Sequence, residues 1–162
     1  MDTKENHAAA HGQSGDQAMQ HKNSYRNLLI MTIFAFVSMY ILMYAMVDVF
    51  GNVINNLNQV YMAGLMTAPM VVIELILMRM MYPNKRMNTL IMSASVVIGL
   101  IFFTLVRQQA AITDKQFLKS MSPHHGAAIL MCEQAPIADP EIKGLCGEII
   151  SSQQAEIDQM RA

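Results

Sequence analysis

Hydrophobic and polar positions divide the chain into a polar head, three long apolar runs and an amphipathic tail. Residues 1–25 show neither helical nor strand periodicity, which predicts a disordered head reaching to about residue 26. Residues 28–47 are nearly continuously apolar. About 20 residues rising about 1.5 Å each cover about 30 Å, the depth of a bilayer's hydrocarbon core. Residues 60–78 and 90–106 repeat the pattern, and the stretches between them, 51–59 and 82–86, carry the Asn, Gly and Pro of turns. Three transmembrane helices within residues 27–107 are therefore predicted. From residue 108 the period becomes that of soluble helices. Thr113 or Asp114 starts one that runs through Met121. Ser122 caps a second with Pro123 in its first position, ending near Ala135 and Pro136. Asp139 and Pro140 open a third that runs to about Met160. Its apolar face is Ile142, Leu145, Cys146, Ile149, Ile157 and Met160, with Gln153 interrupting it and Glu156 at its margin. The expected fold is all-α, with a helical module over residues 108–162 following the membrane region.

Composition agrees with a membrane protein, since 53% of 162 residues are hydrophobic and only 14% are charged. The net charge of −1 offers no basic footprint for nucleic acid. The head is not expected to be a secretory leader, because the apolar run after it is too long and no small-residue cleavage site follows. Lys22 and Arg26 precede the first span, and Arg79, Lys85 and Arg86 join the second to the third, whereas the first loop has no Lys or Arg. This bias predicts a cytoplasmic N-terminus and a module outside the cytoplasm, although Arg107, Lys115 and Lys119 reduce the contrast. In a bacterial cytoplasmic membrane the module would face the periplasm or outer surface.

Candidate chemistry concentrates between Met121 and Cys132, where His124 and His125 stand among Met131, two alanines and a glycine. Placed on a helix at about 100° per residue, Met131 lies about −20° from His124, Met121 about +60°, Cys132 about +80° and His125 about +100°. Five candidate ligands share an arc of about 120°. Imidazole with soft sulfur donors points to copper, in particular Cu(I), with other heavy metals as alternatives. The same arc also reads as an ordinary packed face, for which Met and Cys are normal residues. Cys132 and Cys146 fit no zinc spacing, so they form a disulfide across the hairpin, serve as thiolates, or fill the core. His7, His11 and His21 add weak ligands to the head or are incidental. Glu74 sits in the second span amid Met62, Met66, Met70 and Met78, so it must be protonated, paired or near the interface. Gly64 and Ala68 are a small-residue pair suited to helix packing, within the chain or between copies. A module of three short helices leaves an apolar face for a second copy, predicting a homo-oligomer.

The order of motifs is more specific than any of them alone. Asp114-Lys-Gln-Phe-Leu-Lys-Ser-Met-Ser-Pro-His-His125, Met131, Asp139-Pro-Glu141, Ile149-Ile150, Gln153, Glu156-Ile157 and Met160 resemble the domain of unknown function 305 family, which includes CopM-type periplasmic copper-binding proteins. The resemblance covers roughly the last third of the chain, and the spans resemble its membrane-anchored, heavy-metal-resistance members. It implies half of a ferritin-like four-helix bundle that binds copper through Met121, His124, His125 and Met131. Asp114, Gln153, Glu156 and Met160 are then supporting positions, joined by Cys146 from the cysteine pair. Ser122 and Ala127 depart from the family's isoleucine and glycine. No Glu-x-x-His pair, nucleotide loop or activated nucleophile suggests an enzyme. The expected function is a membrane-anchored protein that sequesters copper or transfers it, with a metal exporter or chaperone as partner. The alternatives are a small copper channel lined by methionines and a structural membrane protein without metal.

Overall fold

The computed structural model describes residues 3–162, with side chains from Asn23 onward. The disorder expected of the head, and its histidines His7, His11 and His21, concern residues whose side chains lie outside that range. Among the described residues there are five α-helices: α1 (Thr3–Leu42), α2 (Leu57–Leu77), α3 (Lys85–Gln108), α4 (Asp114–Gln134) and α5 (Pro140–Arg161). No strand occurs among the described residues. Asn23–Met46, Leu57–Leu77 and Lys85–Gln108 are long and apolar enough to cross a bilayer. Their starts follow from local chemistry. Asn56 Oδ1 accepts from the Gln59 N–H at 2.9 Å and Asn84 Oδ1 from the Met87 N–H at 3.1 Å, capping α2 and α3.

The apolar helices pack through small residues. A Cβ on Gly64 would lie 2.5 Å from the Phe102 ring, and one on Gly99 would lie 3.2 Å from the Ala68 methyl. The Gly64 and Ala68 pair is therefore used inside the chain, between α2 and α3, rather than between copies. At the far end, Leu28, Val71, Leu75 and Tyr82 are buried together. There the Tyr25 hydroxyl donates to Asn88 Oδ1 at 2.7 Å, and Asn88 Nδ2 donates to the Tyr82 carbonyl at 2.7 Å. Burial pushes the Tyr82 phenol above its ordinary pKa, and the Glu74 carboxylate beside it adds to the rise. Glu74 thus lies beside Tyr82 near the helix end, in keeping with one of the outcomes expected for it.

The opposite end is where the module docks. α1 gives way at Leu42 to a 3-10 turn, Met43–Met46, and a second short turn follows at Phe50–Asn52. α4 packs on α5 and touches α2 and both turns. Arg161 Nη2 donates to the Gly51 carbonyl at 2.8 Å and to Asn52 Oδ1, while Asn52 Nδ2 donates to Asp48 Oδ1 at 2.7 Å. The Asp48 carboxylate reaches the space that a side chain on Gly126 would fill. Gln116 Oε1 accepts the Leu57 N–H at 3.2 Å, and the Tyr61 hydroxyl donates to the Ala110 carbonyl at 3.0 Å. The module and the first loop therefore share one end of the bundle, as three consecutive crossings require.

The module itself differs from expectation in one respect. Two helices replace the three expected, because α4 continues through Pro123 instead of restarting at Ser122. Pro123 has no N–H to donate one turn back, which ordinarily breaks a helix. Here Ser122 and Pro123 are both buried, so packing holds the segment, and Ser122 Oγ donates back to the Leu118 carbonyl at 3.2 Å rather than capping a new helix. The last helix starts as expected, with Asp139 Oδ1 accepting from the Glu141 and Ile142 N–H groups and Pro140 in the first turn.

Three outcomes follow. In sealed membranes, an impermeant thiol reagent is expected to reach Phe50→Cys and Met80→Cys, both 90% exposed, from opposite sides, whereas labelling from one side would contradict this arrangement. Gly126→Ala, which displaces Asp48, is expected to lose about 1–3 kcal/mol in unfolding. Gly144→Ala, with nothing within 4 Å, is expected to gain about 0.5–1 kcal/mol.

Candidate metal-binding site

The buried face of α4 is Ser122, Pro123, His125, Gly126 and Ile129. Its centre lies about 170° around the helix from His124, so the arc of expected ligands does not lie flat against the core. It is divided. His125 is buried, with a relative exposure of 6%, whereas His124 is exposed. Their ring centroids are 6.0 Å apart and the planes are inclined by 60°. Adjacent helical residues diverge by about 100°, and the two imidazoles accordingly address two different clefts.

The first cleft, about 600 Å³, lies between α4 and α5 and is lined by Phe117, Leu118, Met121, His125, Glu156, Gln159 and Met160. It gathers an imidazole, two thioethers and a carboxylate. His125 Nδ1 is 3.3 Å from Glu156 Oε2. That nitrogen is nonetheless a buried polar atom without a hydrogen-bond partner, because the contact is close in distance but poorly directed. Orphaned buried nitrogens are rare in folded proteins, and a small rotation that aims Nδ1–H at the carboxylate would leave Nε2 as the donor for a metal. Glu156 is about half exposed, so it contributes as a screened carboxylate at the cleft's mouth.

The second cleft, about 390 Å³, lies where α4 meets the end of α1 and the start of α2. His124 lines it together with Met43, Met46 and Met121, so Met121 borders both clefts. Among the described residues no three His, Cys, Asp or Glu side chains converge on one point, so a metal site here has to include methionine thioethers.

The remaining expected ligands fall elsewhere. Met131 is 53% exposed, two turns beyond His124, and borders neither cleft, because that side of α4 has no helix against it. Cys132 and Cys146 form a disulfide, Cα to Cα 5.2 Å, so Cys132 is not a thiolate ligand and Cys146 does not support one. Asp114 lies in the first turn of α4, where its charge suits the helix dipole, and borders neither cleft. Gln153 is half-buried but borders neither. Met66, Met70 and Met78 of the methionine stripe are exposed on α2, turned outward instead of lining a passage within one chain. Sequence reasoning did not join Met43 and Met46 to His124, nor single out Asp48, Asn52 and Arg161 as the dock. The signals available were the heptad-like spacing of Met39, Met43 and Met46 in the first span, which reads equally as a soft-cation stripe or as helix packing, and the four-residue spacing of Asp48 and Asn52.

A family model described as a domain of unknown function (DUF305) matches residues 75–162. The match is longer than the last third of the chain, taking in all of α3 and the whole module. Uncharacterized protein L153 of Acanthamoeba polyphaga mimivirus is 36% identical over 138 residues, covering 83% of this chain and 89% of that protein. No solved structure matches the chain significantly.

Because the bridged sulfurs are not donors, Cys132→Ser with Cys146→Ser is expected to leave copper affinity unchanged while lowering the module's stability by about 3 kcal/mol, as for a closed loop of about 15 residues. Chelator competition and thermal unfolding check the two halves, and a loss of copper binding with stability intact would reverse the assignment.

Proposed function

This chain belongs to the domain of unknown function 305 family, and we propose that within it the protein is a membrane-anchored binder of copper, which it carries as cargo in sequestration, transfer or resistance. The observation that carries the reading is the cleft between α4 and α5, where buried His125, with its unpartnered nitrogen, meets Met121, Met160 and Glu156. Thioethers with imidazole favour Cu(I) over harder ions. A monovalent ion held by neutral donors brings a net positive charge into a partly desolvated place, and Glu156 offsets it. The protein acts by holding and releasing the ion, with no catalytic step.

The distribution of Lys and Arg supports a cytoplasmic N-terminus and an extracytoplasmic module, which in a bacterial cytoplasmic membrane faces the periplasm. Exposed Ile142 and Leu145 on α5 offer an apolar surface to a second copy or to a protein that accepts the metal. The outward-turned methionines of α2 favour this binding role over conduction through a single chain.

Titration of Cu(I) into the full chain in detergent, against a competing chelator, tests the proposal. One equivalent is expected to weaken by about 100-fold in His125→Ala and by about tenfold in Glu156→Gln, as for a lost ligand and a lost orienting carboxylate. Uptake unaltered by His125→Ala would refute the site.

A further inference from the structure

The His124 cleft contains features that the His125 site does not use. α1 stops being an α-helix at Leu42 and tightens into the 3-10 turn Met43–Met46. In a 3-10 helix residues three apart eclipse each other, so Met43 and Met46 project from the same side. Had the α-helix continued, the two would have diverged by about 60°. Both residues line the cleft, and α4 contributes His124 and Met121 to it from the module's side. The polar groups that complete its lining are neutral amides and a hydroxyl, from Asn56, Asn58, Gln59 and Ser120, and no carboxylate is among them. Asn58 Oδ1 is buried without a hydrogen-bond partner.

We infer that this junction is a second metal site, formed by Met43, Met46 and His124 with Met121, and that it takes a soft monovalent cation, Cu(I). The inference builds on the proposed role of copper as cargo. Three thioethers and one imidazole without a carboxylate suit Cu(I) and are poor ligands for hard or strongly hydrated divalent ions. The first cleft differs in having Glu156. Met121 precedes His124 by three residues and His125 by four, the two spacings that put side chains on adjoining helix positions. It borders both clefts, so one thioether can stay bound while the other ligands exchange, passing the ion between the module and the end of α1. The step moves Cu(I) from one donor set to another, without change of oxidation state and without a proton.

The test is an anaerobic Cu(I) titration of the full chain in detergent without thiol or phosphine reductant, so that the Cys132–Cys146 disulfide stays closed, counting equivalents against a chelator of known affinity. The wild-type protein is expected to bind two. Met43→Leu with Met46→Leu, which keeps the apolar volume, is expected to weaken one of them by about tenfold or more and to leave the other unchanged. His125→Ala is expected to weaken only the other, and Met121→Leu both. Circular dichroism of each variant confirms that the helices are retained. A single equivalent that responds to His125→Ala and not to the Met43, Met46 pair would overturn the junction site and leave the proposed function standing. A single equivalent that responds only to the Met43, Met46 pair would support the junction site and overturn the His125 cleft. Absence of tight binding in the wild-type chain would overturn both.

Discussion

The arrangement depends on the seating of Asp48 against Gly126. A side chain at position 126 would occupy the carboxylate's place, and the carboxylate is itself held by Asn52, which is in turn held by Arg161 from the end of α5. Residues far apart in sequence thereby fix α4, α5 and the first loop to one another. Asn52 is almost fully buried and makes bonds on both sides of its amide, so the dock is polar and satisfied, the condition under which a buried polar contact specifies a geometry. Because α4 is seated at the residue after His125, its rotation about its own axis is fixed there. That rotation decides which cleft each imidazole enters.

Several features of the module serve to hold α4 and α5 as a clamp around the first cleft. The disulfide closes the hairpin at one end, buried Ile129 and Ile157 fill the interior, and Arg161 ties the other end to the loop. The cleft opens beside Met160, near the tied end. A donor set of thioethers and imidazole binds Cu(I) well without being so rigid that the ion cannot leave, because methionine's unbranched side chain changes rotamer at small cost. Holding and handing over are then compatible in one site.

Much of the fold was legible in the sequence, for identifiable reasons. The three apolar runs are set by bilayer thickness and the start of α5 by Asp139 and Pro140, whereas the Asn56 and Asn84 caps start α2 and α3 a few residues before the expected runs at 60 and 90. Local rules of this kind need no knowledge of neighbours. The continuous α4 was not legible, because a Ser-Pro pair is a strong local start signal and only tertiary burial of Ser122 and Pro123 overrides it. The membership of the site was half legible. Periodicity correctly placed Met121 beside His125, and the motif order brought in Glu156 and Met160 from α5. Met131 shared the arc but not the surroundings, since a helical wheel gives direction and says nothing of what stands opposite. The place of Met43 and Met46 in the proposed junction site rests on a switch from α to 3-10 geometry, which no periodicity in the sequence announces.

The claim that methionine thioethers and histidine together hold the metal is tested most directly by X-ray absorption at the copper edge of the Cu(I)-loaded full-length protein. The account predicts a coordination shell that contains both sulfur and imidazole nitrogen, with the multiple scattering of an imidazole ring. A shell of oxygen and nitrogen alone, without sulfur, would contradict it.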